Sequence, residues 1–129
     1  MIEIKFRGKR IDNGDWTYGW LVVESNGTAW ISKYYHKGEW EQVDPETVGQ
    51  LTSRHDANGK EIYEGDIVKY GKKALEVFWN NFGGGSWWFA TSEIGLQGNH
   101  FRKHVNRIHL DEIEIIGNVH ENLNLLWSK

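Results

Sequence analysis

Tight-turn signals cut this chain into short pieces, and that limits what it can fold into. Asn-Gly pairs stand at Asn13-Gly14, Asn26-Gly27 and Asn58-Gly59. Asn-Gly favours the two-residue hairpin turn that needs positive φ. Between such turns the residues alternate. Ile2, Ile4 and Phe6 share one side, and Glu3, Lys5 and Arg7 share the other. That is the period of a half-buried strand. Further strands are expected at residues 16–24, 28–35, 40–43, 67–70, 74–79, 87–90 and 112–119, with weaker ones at 49–53 and 61–63. The pair Ile115-Ile116 suggests that the end of the last strand is buried on both sides. Fifteen glycines against one proline suit hairpin turns. Helical turns are expected in two places only. One has Asp44 as cap and Pro45 at its first position. The other lies within 120–126, with Leu123 and Leu126 facing inward.

The expected class is all-β, built of short antiparallel strands in a sandwich or small barrel. A chain of 129 residues fits one compact unit. Two β subdomains are expected inside it, a meander at 1–45 and a small barrel at 46–129, with the seam within 44–60.

Composition removes several chemistries. Without cysteine there is no disulfide framework, thiolate metal site, iron–sulfur cluster or cysteine nucleophile. The N-terminal residues alternate charge with apolar side chains, so no signal peptide is expected there. The apolar runs at 20–23 and 87–90 are far shorter than the roughly 20 residues that span a bilayer. A cytoplasmic protein without membrane contact is the expectation. A net charge of −3 argues against a dedicated nucleic-acid binder, which usually carries a basic excess.

Residues 56–69 read Asp-Ala-Asn-Gly-Lys-Glu-Ile-Tyr-Glu-Gly-Asp-Ile-Val-Lys. Ile2 to Gly8 form an opening strand, and Trp16-Thr17-Tyr18-Gly19 follows it. Val48-Gly49-Gln50-Leu51-Thr52 precedes the Asn58-Gly59 turn. The chain closes on Glu114-Ile115-Ile116-Gly117-Asn118-Val119-His120-Glu121-Asn122. Together, in this order, these segments resemble the YopX family of phage and prophage proteins. His120 stands where that family commonly has an aromatic residue, and Leu123 where it commonly has proline. Residues 80–109 match no part of its pattern. The resemblance implies an all-β fold with a small SH3-like barrel around Glu64-Gly65-Asp66-Ile67-Val68, in the cytoplasm of a host bacterium. It implies no reaction and no cofactor, and it supplies no catalytic residues.

Glu64-Gly65-Asp66 admits two readings. With Glu61 or Asp56 it is a carboxylate cluster for metal or acid–base work. Alternatively it is a bend, in which Gly65 takes a backbone angle others avoid and the Asp66 carboxylate accepts backbone N–H bonds. The bend needs no further parts and is preferred. Asn58, Gly59, Glu64, Gly65, Asp66, Gly117 and Asn118 are therefore taken as structural. His100 and His104 have a helical i, i+4 spacing and His109 follows. A zinc site needs a third protein ligand, and Phe101 stands where the helical zinc-protease motif has glutamate. No metal is assigned. The glycine-rich residues 81–87 lack the Gly-Lys-Ser/Thr ending of a phosphate loop. No serine sits in a strand–turn–helix elbow.

Eight tryptophans remain to be housed. Each buries on the order of 200 Å², and a small barrel holds few such rings. Trp87 and Trp88 are adjacent, so on a strand they face opposite ways. One of them must then meet a second layer, a partner or water. The expected function is non-enzymatic binding of a host or phage protein, or of further copies of the chain, through Trp87, Trp88 and Phe82. The alternative is nucleic-acid binding through Arg102, Lys103 and Arg107 beside those rings. An enzyme with an unrecognised site ranks third.

Overall fold

The structure, a computed structural model, describes residues 5–34, 38–80, 86–90, 102–104 and 109–126. The chain divides into two compact units, Met1–Ser53 and Arg54–Lys129. Both are built of antiparallel sheet, and among the described residues the only helical pieces are short 3-10 turns. Residues up to Ser53 fall with the first unit because Gly49 and Gln50 pair with Arg7 and Phe6.

The first unit contains β1 (Phe6–Lys9), β2 (Trp16–Val23), β3 (Ala29–Ser32), β4 (Glu41–Val43) and most of β5 (Gly49–His55). The strand order is β4-β3-β2-β1-β5. Asn-Gly turns connect the early strands as their chemistry dictates. Asn13 Oδ1 accepts the Asp15 N–H at 2.9 Å, and Asn26 Oδ1 accepts the Thr28 N–H at 3.0 Å. Asp44 caps the 3-10 turn Pro45–Thr47 by accepting the Glu46 N–H.

β2 serves two partners in succession. Residues 16–19 pair with β1, and residues 20–23 pair with β3. Gly19 sits at the handover with φ 148°. A Cβ there would stand 2.1 Å from the Ser32 carbonyl oxygen, so no side chain fits without moving backbone. The sheet also curls. Past β1, Arg10 bridges to Val43, the Ile11 N–H donates to the Gln42 carbonyl at 3.0 Å, and the Asp44 N–H donates to the Lys9 carbonyl at 2.8 Å. Ala29, Ile31 and Val43 are buried inside this curl, with Phe6, Leu21 and Val48 packed on them.

The second unit contains β6 (Glu61–Tyr63), β7 (Asp66–Tyr70), β8 (Lys73–Asn80), β9 (Ser86–Ala90), β10 (Arg102–His104) and β11 (Ile113–Asn118). Its five-stranded sheet has the order β10-β9-β8-β7-β11. Ile62, Val68, Leu75, Val77, Phe89 and Ile113 form the core. The SH3-like barrel expected here is not closed among the described residues, because β10 and β11 end the sheet as edges. Ile116 also departs from expectation. The β11–β7 register shifts between Ile115 and Gly117, which makes Ile116 the extra residue of a bulge, and it turns outward. A 3-10 turn does form at Leu123–Leu126, but Leu123 is exposed.

Backbone-to-carboxylate bonds hold this unit together. Asp56 is buried, and its Oδ1 accepts the N–H groups of Asn58 and Lys60, each at 2.9 Å. Its Oδ2 accepts the Ile115 N–H at 2.9 Å, so one carboxylate fixes both the Asn58-Gly59 turn and β11. Asp66 Oδ2 accepts the Tyr63 N–H at 2.7 Å. Gly65, at φ 91°, accepts the Val119 N–H on its carbonyl at 2.8 Å. Asn118 Oδ1 then accepts the His120 and Glu121 N–H groups, both at 3.0 Å. A Cβ on Gly117 would stand 2.6 Å from Asn122 Oδ1.

Two stability predictions follow from this packing. Gly19→Ala costs about 3 kcal/mol or more, because it meets backbone at a strained φ. Gly14→Ala, also at positive φ but with nothing within 4 Å, costs only about 1–2 kcal/mol. Urea unfolding of the two variants measures the difference. Equal losses would mean that Gly19 is not the handover point.

The second prediction concerns pH. Burial works to raise the Asp56 carboxyl, but its three backbone N–H bonds and Lys60 outweigh it and hold the group below its usual 3.8. Its contribution is therefore present above pH 3.8 and lost as pH falls through the lowered value. Asp56→Asn should cost about 2 kcal/mol at pH 7, and the deficit should shrink towards pH 3. Glu76 has the opposite sign: burial, and then the charge of Glu64, push its carboxyl above 4.5. Its contribution is present below pH 4.5 and lost as pH rises through the raised value. Glu76→Gln should then stabilise at pH 7 and be neutral near pH 4. Unfolding curves across that range check both signs.

Candidate binding site

The outer face of the first unit's sheet is built by the pleat of β2. Thr17, Gly19 and Leu21 point inward, so Trp16, Tyr18, Trp20 and Val22 share the other side. The exposures of Tyr18, Trp20 and Val22 are 38%, 44% and 44%. This row is therefore open to solvent even though every member is large and apolar. On β1 the register sets Arg7 against Tyr18 and Lys9 against Trp16. The cations lie over the rings. The Arg7 guanidinium is 4.6 Å from the centre of Trp16, Lys9 Nζ is 5.9 Å from the same ring, and Lys5 Nζ is 6.0 Å from Tyr18.

On the other side of β2 the row opens into a groove. Val22 pairs with Trp30, and Trp30 pairs with Gln42, so the three form a ladder across β2, β3 and β4. Val22, Trp30 and Trp40 line a groove of about 410 Å³. The Trp30 indole N–H donates to Glu24 Oε1 at 2.5 Å. Trp40 also lines a second cleft with Arg10, Ile11, Asp12, Glu41 and Gln42. There Arg10 makes a two-pronged bond to Asp12, at 3.0 and 2.7 Å, and a 2.7 Å ion pair with Glu41. Thr17 Oγ1 donates to Glu41 Oε1 at 2.6 Å. The charged groups of this second cleft, Arg10, Asp12 and Glu41, are thus engaged with one another.

Trp87 and Trp88, the pair chosen from sequence, lie in extended conformation on β9. Both are half-buried. Trp87 packs against the core of the second unit and meets Trp79 edge-on, with centroids 4.9 Å apart at 73°. Trp79 is itself 42% exposed. Trp88 is on the opposite face, paired with Phe78 and with the register position of His104 on β10. Of the cationic set, Arg102 and Lys103 lie on β10 at the register positions of Ala90 and Phe89. Phe82, Arg107 and His100 lie outside the described residues. No group of three His, Asp or Glu stands close enough to hold a metal ion among the described residues. No helix among them is long and apolar enough to cross a membrane.

The face centred on Trp20 and Trp30 was not among the residues chosen from sequence. The signal was present in the period-two run Trp16, Tyr18, Trp20, Val22. It differs from an ordinary half-buried strand only in placing its largest apolar residues opposite Thr17 and Gly19. Those two small residues leave the aromatic row on the outside.

Comparison with known proteins agrees with the motifs. No curated protein matches the chain. The family model described as "YopX protein" matches residues 5–127, nearly the whole length. The segments it covers include the Gly19 handover, the Asp56 bonds and the Gly65–Val119 contact, which are what hold the two units' strands in place. The chain belongs to the YopX family.

Proposed function

We propose that this chain is a phage or prophage accessory protein that acts in the host cytoplasm by binding another protein, without chemistry of its own. The recognition surface is the outer face of the first unit's sheet. The observation that carries this reading is the solvent exposure of Tyr18, Trp20 and Val22 in one unbroken row. A contiguous apolar row next to an apolar groove is the kind of surface that marks an interaction site. Tryptophan, tyrosine and arginine are also the residues that dominate interface energetics. The adjoining cleft supports binding over catalysis. Its guanidinium, carboxylates and hydroxyl are engaged with one another, so they serve to shape the groove's wall.

Trp87 and Trp88 take a secondary place in this reading. Trp87 is half-buried and packs against the core of the second unit.

The reading is tested in cells that carry the phage. Benzoylphenylalanine at position 20 is expected to give a protein adduct on irradiation. At Lys69, exposed in the second unit, it should give none. Val22→Lys should suppress the adduct at position 20. If position 20 captures nothing, the surface is not a protein-binding site.

A further inference from the structure

The aromatic residues of this face fall into two groups. Trp16 and Tyr18 have the chain's own cations over their rings, from Arg7, Lys9 and Lys5. Among the described residues no cation stands over Trp30 or Trp40. Instead, carboxylates surround these two. Glu24 accepts from the Trp30 indole N–H, and Asp12 and Glu41 line the cleft that Trp40 shares. Among the described residues lining that cleft the cation is Arg10, and both of those carboxylates meet it. Glu24, Asp12 and Glu41 are thus three carboxylates against one guanidinium among the described residues near these two rings. A carboxylate bonded to an indole N–H also makes the ring face a better acceptor for positive charge, because it adds electron density at the edge.

We infer that the groove lined by Val22, Trp30 and Trp40 receives an arginine or lysine side chain from an extended segment of the partner protein. This rests on the reading of the face as a protein-binding surface, and it names the chemistry that the surface selects. The alkyl stem of either residue packs along Val22 and the indoles, while its charged end meets the ring faces. Glu24, bonded to the Trp30 indole, then supplies the negative charge that draws the cation in. The apolar row Trp20–Val22 beside the groove takes an apolar neighbour of that cation. A nucleic acid fits less well. Its phosphates would meet the same carboxylates.

The test pans random displayed dodecapeptides against the immobilised full-length chain. Recovered clones are then scored against two variants, Trp20→Lys and Glu24→Gln. Clones that lose binding to Trp20→Lys report on this face, and they should carry Arg or Lys beside an apolar residue. Glu24→Gln keeps an acceptor for the Trp30 N–H and removes only the charge, so folding is not at issue. It should weaken the synthetic peptides, and replacing their Arg by citrulline should weaken them about tenfold. The inference is overturned if face-dependent clones are acidic or uncharged, or if neither Glu24→Gln nor citrulline changes affinity. Displacement of the clones by a thymidine 20-mer, or by concentration-dependent dimerisation of the chain, also overturns it. If no clone distinguishes Trp20→Lys from the native chain, the protein-binding reading itself has failed, which is a separate result.

Discussion

β2 pairs with β1 over its first half and with β3 over its second, and everything on the outer face of the first unit depends on that handover. A strand shared in this way must bend without losing its pleat. Gly19 permits it, because the Ser32 carbonyl oxygen occupies the space a side chain would need. With the pleat kept, residues 16, 18, 20 and 22 stay on one side through the bend. Gly8 does the same work at the back of the sheet. A Cβ there would press on Val43 at 3.0 Å and Ile31 at 3.2 Å, so its absence lets the curled strands close over a small core. The core is only as large as Ala29, Ile31, Val43 and their neighbours. Large aromatic side chains have no room inside and are left on the outer surface.

The second unit solves a different problem. Its sheet must anchor a turn, a bulged edge strand and a C-terminal corner at once, and it does so with buried acceptors. A carboxylate with three backbone donors is held charged although burial works to raise its pKa. Asp56 therefore ties residues far apart in the chain, the Asn58 turn and Ile115, through one side chain. Gly65 and Asn118 extend the same arrangement to the corner at residues 118–122. The residues that make the family recognisable are thus the ones that satisfy buried backbone groups, and their chemistry is consumed in that task.

This explains which parts of the molecule could be read from sequence. Hairpin turns are local events, so Asn13-Gly14, Asn26-Gly27 and Asn58-Gly59 located the strands without reference to anything distant. Bonds such as Asp66 to the Tyr63 N–H span three residues and were legible for the same reason. Sheet closure is not local. Whether β11 meets another strand to complete a barrel depends on edges brought together by the whole topology, and the sequence has no marker for it. The bulge at Ile116 was hidden because a doubled isoleucine looks the same whether the strand is buried on both sides or has slipped by one residue. The exposed aromatic face was missed for a subtler reason. An adjacent pair such as Trp87-Trp88 announces that one ring must leave the core, whereas an alternating row such as Trp16, Tyr18, Trp20, Val22 reads as an ordinary buried side. Only the small residues opposite, Thr17 and Gly19, reveal which side is which.

An aromatic sheet face open to solvent must be kept from sticking indiscriminately. The cations on β1 offer one means. Lys9 and the buried Arg7 lie against the ring of Trp16, and Lys5 lies over that of Tyr18, so the chain's own cations flank this end of the row. Among the described residues the same device is missing at Trp30 and Trp40, near which Glu24, Asp12 and Glu41 stand. The contrast matters because both halves belong to one continuous sheet, and a uniform need for solubility would predict uniform cover. A chain that shields one end of its aromatic row with its own positive charge and surrounds the other with negative charge has left a place for positive charge to come from elsewhere.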